Sequence, residues 1–230
     1  MIILYTRKNK RDETKQAPAS DVICGKILTA EEQSALEPDT ILSILKKGNE
    51  DFVRGALTVR NNSERMRHAS LGQHPLAVVL SCLDSRVPVE DVFHQGIGDI
   101  FVLRVAGNIV NEDILGSLEY ACKVSGSKLI LVLGHEYCGA IRSAVDKVEM
   151  GNITSLLEKI QPAVNASKDF DGDKTSANPA YLTHVCAENV KVSVHNIRAK
   201  SAILNQMEND GSIKIVGAVY DMETGRVHFK

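Results

Sequence analysis

Two short apolar runs constrain this chain more than anything else in it, because each breaks straight into a loop of metal-ligating side chains. The first is Leu76-Ala77-Val78-Val79-Leu80-Ser81, opened by Pro75. The second is Lys128-Leu129-Ile130-Leu131-Val132-Leu133. Continuous rather than alternating apolar character, rich in β-branched residues, is the pattern of strands buried on both faces of a parallel sheet. After the first run comes Cys82-Leu83-Asp84-Ser85-Arg86, and after the second Gly134-His135-Glu136-Tyr137-Cys138-Gly139. Open α/β sheets place their ligands beyond the carboxyl ends of the strands. Two parallel strands would therefore bring Cys82, His135 and Cys138 out on one edge. Two thiolates and one imidazole make a three-ligand zinc site with a fourth position free.

The rest of the chain supplies more strands and the helices between them. Ile100-Phe101-Val102-Leu103-Arg104-Val105 and Ile213 to Tyr220 read as strands, and Glu223-Thr224-Gly225 as a hairpin into Arg226-Val227-His228-Phe229. Helices are expected after Thr29 and Asp39, from Asp113 to Gly126, and over 140–150, 154–164 and 180–207, with a short one at Pro88-Val89-Glu90-Asp91. Residues 60–71 and 168–179 read as loops. The fold expected is α/β: a mainly parallel four-stranded sheet flanked by helices, with an antiparallel strand at its C-terminal edge. One zinc-binding catalytic domain would span 39–230, with 1–38 an arm and extension. The early helices are expected outside the sheet core, available to pack on a partner subunit.

Composition excludes several functions. A net charge of -2 over 230 residues leaves no basic footprint for nucleic acid, and 4% aromatic residues with no Trp offer no stacking platform. No apolar run approaches the ~20 residues of a membrane span. Met1-Ile2-Ile3-Leu4-Tyr5 is too short for a signal peptide and its basic residues follow it, so a cytoplasmic location is expected. The five cysteines, at 24, 82, 122, 138 and 186, are too scattered for a disulfide framework. Cys24, Cys122 and Cys186 read as buried thiols.

Other loop chemistries fail. Gly134 to Gly139 has the glycine spacing of a phosphate loop, but Ala140 and Ile141 stand where Lys and Ser or Thr are required. No G-x-G-x-x-G opens a helix after a strand. Asp84 is the nearest acid to the expected metal, and Arg86 can hold it as a bidentate pair. With that pair formed the fourth metal position belongs to water. With it broken, Asp84 can take that position and close the site.

Cys82-x-Asp84-Ser85-Arg86 followed by Gly134-His135-x-x-Cys138-Gly139 closely resembles the β-class carbonic anhydrases, from about Asp39 to the C-terminus. Gln73 looks like the substrate-pocket glutamine of their plant-like subclass, and Phe101 and Tyr120 match apolar pocket walls. Val79 stands where the bicarbonate-inhibited subclass has tryptophan, so the chain resembles the constitutively open subclass. Arg104-Val105-Ala106-Gly107-Asn108 departs from the common R-N-x-A-N run.

The resemblance implies one Zn²⁺ per chain and hydration of carbon dioxide to bicarbonate and a proton. It also implies a homodimer or a multiple of it, with Gln73 or the aromatic residues reaching a neighbour's site. Carbon disulfide or carbonyl sulfide would be alternative substrates. A non-catalytic zinc protein, with Asp84 permanently on the metal, is the rival of a different class.

Overall fold

A computed structural model describes residues 27–57 and 61–230. Of the segment read as arm and extension, 1–38, residues 1–26, Cys24 among them, lie outside the described residues. The helices are α1 (Ala30–Ala35), α2 (Pro38–Val53), α3 (Asn62–Ala69), α4 (Val89–Val92), α5 (Glu112–Glu119), α6 (Gly139–Val145), α7 (Gly151–Glu158), α8 (Gln161–Ala166), α9 (Pro179–Lys200) and α10 (Ala202–Asn209). The strands are β1 (Ala77–Ser81), β2 (Ile100–Arg104), β3 (Leu129–His135), β4 (Lys214–Tyr220) and β5 (Val227–Phe229).

They form one sheet in the order β2-β1-β3-β4-β5. The first four strands are parallel, and β5 runs antiparallel to β4. This is the α/β architecture expected from the apolar runs. Alternate side chains of each strand serve opposite faces. Val78, Leu80, Ile130, Val132, Ile215 and Val219 pack under α9 and its neighbours. Ala77, Val79, Leu129, Leu131, Leu133, Val216 and Ala218 pack on the other face.

That second face corrects the expectation for the early helices. Ile41 and Leu45 of α2 are fully buried in the same cluster as Val79 and Leu131, so α2 covers its own sheet. Each such side chain contributes about 1.5–3 kcal/mol by leaving water. Asn49 locks the helix in place, donating to Val92 O and Gly225 O and accepting from Val227 N.

Other boundaries shift for local reasons. The segment read as a loop contains α3, whose first turn is capped by Asn61 Oδ1 accepting from Glu64 N at 3.1 Å. Its Arg65 is 2% exposed and donates to Ile97 O and the Asp99 carboxylate. Asn111, not Asp113, caps α5, and α2 begins after Glu37 with Pro38 in its first turn rather than at Asp39. The helix expected over 154–164 divides into α7 and α8, because Pro162 in the first turn of α8 cannot continue the hydrogen-bond ladder. The one expected over 140–150 ends at Val145. The long C-terminal helix breaks at Ser201, whose extended backbone (ψ 102°) frees its hydroxyl to cap Leu204 N.

Candidate metal centre

Register brings the ligands together. Ser81 at the end of β1 lies opposite Leu133 of β3, so Cys82 emerges abreast of Gly134 and His135. Beyond His135 the chain turns through Tyr137, held in the left-handed region at φ 53°, and re-enters order at Cys138, the residue before α6. Close approach of α9 requires Gly134, where a Cβ would come within 2.6 Å of Val190 and 3.0 Å of Cys186 Sγ.

The ligand atoms of Cys82, His135 and Cys138 lie within 4.8 Å of one another, all on buried residues. The two sulfurs are 4.0 Å apart. His135 Nδ1 lies 2.8 Å from Glu136 O; a carbonyl only accepts, so Nδ1 carries the proton. Nε2 is then the free electron pair, and it is buried with no hydrogen-bond partner. An orphaned acceptor facing two buried thiols is what a soft or borderline cation needs. The Cys138 thiol pointing at Cys82 holds the Cys82 thiol well below its ordinary range, helped by the Gly107 N–H. The same contact pushes Cys138 up. A divalent cation held by both would take them as thiolates and so remove that conflict.

Asp84 borders this cluster. Its Oδ2 is 3.9 Å from His135 Nε2, and Arg86 bonds both carboxylate oxygens. Arg86 also donates to Tyr137 O at 3.3 Å, tying the two ligand loops together. Arg104, from the end of β2, braces the first loop through Val87 O and Asp84 O.

The expected substrate-pocket residues lie elsewhere in the chain. Gln73 is exposed beyond the amino end of β1, whereas Cys82 follows its carboxyl end. Phe101 and Tyr120 both line an open cavity of about 520 Å³ beside the edge strand β2, which none of the three metal-ligand candidates lines.

Two contacts had no signal in the sequence. Gly107 N donates to Cys82 Sγ at 3.3 Å, and the Cys186 thiol donates to His135 O at 3.2 Å. Cys122 and Cys186 are buried thiols, as expected.

The fold and the cluster together define an α/β protein with a Cys-His-Cys metal cradle at the carboxyl edge of a parallel sheet. Residues 77–227 match the family model described as carbonic anhydrase, and the chain belongs to that family. It is 35% identical over 190 residues to "Carbonic anhydrase 2" of Mycobacterium tuberculosis, covering 79% of this chain and 87% of the relative. It is 34% identical over 192 residues to a carbonic anhydrase of Mycolicibacterium smegmatis, covering 81% and 90%. Among solved structures it resembles the β-carbonic anhydrase of Coccomyxa in complex with acetazolamide. The TM-score is 0.65 at 26% identity, over 82% of this chain and 85% of the other.

Proposed function

We propose that this protein is a zinc lyase that hydrates carbon dioxide reversibly to bicarbonate and a proton. The observation that carries the reading is the buried triad of Cys82, His135 and Cys138 with an unpartnered Nε2, in a chain of the carbonic anhydrase family. These three residues would hold one Zn²⁺. When bound, the ion supplies a Lewis acid that makes water a nucleophile near neutral pH.

The remaining work falls to this chain's own side chains. Arg86 holds the Asp84 carboxylate down to about 2, so Asp84 stays ionised and accepts hydrogen bonds instead of carrying a proton. Its Oδ2, next to His135 Nε2, is positioned to accept from a water or from the hydroxyl of bicarbonate, and so to orient whichever is there. The Arg86 grip on both oxygens would also keep Asp84 from binding the metal. This supports the constitutively open subclass, as does Val79 buried within β1.

Gln73, Phe101 and Tyr120 are the substrate-pocket residues of this reading. Their distance from the cluster in one chain supports an assembly in which a second copy completes each site across the β2 edge. The deciding experiment is carbon dioxide hydration by the purified, metal-analysed protein beside Asp84→Asn. A zinc-loaded parent with no hydration activity would refute the enzymatic reading. Turnover of carbon disulfide or carbonyl sulfide in its place would reassign the substrate.

A further inference from the structure

Among the described residues, four buried side-chain polar atoms have no hydrogen-bond partner: His135 Nε2, Ser81 Oγ, Asn108 Nδ2 and Asn189 Oδ1. The metal reading accounts for the first. Two of the others, Asn108 Nδ2 and Asn189 Oδ1, belong to residues at the place where α9 crosses the turn Ala106–Asn108. Asn189, 1% exposed, donates from Nδ2 to Gly107 O at 2.8 Å. One helical turn later Ser193 Oγ donates to Asn108 O at 2.9 Å. Residues four apart share a helix face, so α9 grips two successive carbonyls of that turn. The other side of the turn faces the cluster, where Gly107 N donates to Cys82 Sγ at 3.3 Å. Gly107 has φ +66°, and a Cβ there would come within 2.7 Å of Ile160 and 3.3 Å of Ala140.

We propose that Asn189, assisted by Ser193, is a positioning residue for the Cys82 ligand: it fixes the Gly107 N–H on the sulfur and so limits the charge that sulfur donates to a bound metal. The proposal rests on the zinc reading above. A hydrogen bond to a thiolate withdraws electron density from it, and outer contacts of this kind orient ligands and tune the metal. Asn189 also leaves its own carbonyl oxygen unpaired in a buried place, a cost that an apolar side chain of similar size would avoid. The bond to Gly107 O is what the amide adds there. Simple bracing of the turn would alter stability alone. Control of the sulfur alters the electronic signature of the metal site.

The test uses full-length protein loaded with Co²⁺, reading the thiolate-to-cobalt charge-transfer band, with Zn²⁺ affinity measured by chelator competition. Asn189→Ala should move the band to longer wavelength, since an unshielded thiolate gives up an electron more easily, and, because the turn no longer holds the Cys82 sulfur in place, should weaken Zn²⁺ binding roughly 10-fold. Ser193→Ala should shift the band in the same direction by less. Val194→Ala, on the same helix but away from the turn, should leave the band where the parent has it. A folded Asn189→Ala with parental band and affinity overturns the proposal, as does an equal shift in Val194→Ala. Should Asn189→Ala fail to fold, Ser193→Ala decides, and an unmoved band there overturns it. A parent with no thiolate-to-cobalt band would instead overturn the zinc reading on which the proposal stands.

Discussion

Asp84 Oδ2 lies 3.9 Å from His135 Nε2 while Arg86 occupies both oxygens of the same carboxylate, at 2.9 and 2.8 Å. One acid therefore borders the candidate metal ligands with both of its oxygens already bonded to Arg86. Arg86 is itself more than half exposed, so the restraint sits at the mouth of the site, not in its interior.

Arg86→Ala separates restraint from stability. An exposed ion pair contributes at most about 1 kcal/mol, so the thermal midpoint should barely move. Hydration activity should nevertheless fall by at least roughly 10-fold, because the freed Asp84 can take the fourth metal position. Combining Arg86→Ala with Asp84→Asn should cost little more than Asp84→Asn alone, since the two residues act as one unit. The check is kcat/KM of the three variants. Parental activity in Arg86→Ala would remove the restraint from the mechanism.

Metal removal should be visible in stability as well as activity. The purified protein should hold about one zinc per chain, lost in Cys82→Ala, His135→Ala and Cys138→Ala. Chelation should lower the thermal midpoint, and added Zn²⁺ at about 1,000 times its Kd should return about 4 kcal/mol. Elemental analysis beside calorimetry checks both. Full zinc occupancy in any one variant would exclude that residue as a ligand.

The two remaining described thiols should behave as core atoms. Burial pushes Cys122 and Cys186 up to about 12. Under native conditions at mildly alkaline pH neither should be alkylated by iodoacetamide, and both should react once the chain unfolds. A thiol raised in the folded state stabilises it below the ordinary value of 9.0, and that contribution is lost as pH rises towards 12. The thermal midpoint of the parent should therefore fall more steeply above about pH 9 than that of Cys122→Ala. Mass spectrometry of native alkylation at Cys122 would contradict its burial.

Tyr120 tests assembly. It is 58% exposed and lines a cavity apart from the metal ligands of its own chain. A change there should be harmless in an isolated chain. If a second copy brings it to the neighbour's site, Tyr120→Ala should lower kcat/KM roughly 10-fold with little change in thermal midpoint, an effect of about 1.4 kcal/mol on the barrier. Sedimentation of the parent at micromolar concentration should show a dimer or a multiple of it. A fully active monomer would sink the shared site.

The ligand loops were legible in the sequence because everything that makes them is local. A β-branched apolar run states that its strand is buried on both faces, and the residues leaving its end must then stand at the sheet edge. Thiol, imidazole and carboxylate side chains at two such ends name their own chemistry, whatever packs around them. The parallel run of the main strands and the antiparallel last strand followed from the same local patterns, whereas the order β2-β1-β3-β4-β5 came only with the structure.

What the sequence left undecided depends on contacts between distant residues. The apolar stripe of α2 read as facing a partner subunit, because nothing local ties it to its own sheet. Only the packing of Ile41 and Leu45 against Val79 and Leu131 decided it. Arg65 looked like one more polar residue in a loop until Ile97 and Asp99 came round to meet it. Asn189 lies 82 positions from Gly107, on a helix whose rotation no local pattern records. Residue type and strand-end position thus determined which atoms could bind a metal, since both are written in a few consecutive residues. How those atoms are oriented and restrained was decided by register and helix docking, which exist only once the whole core has closed.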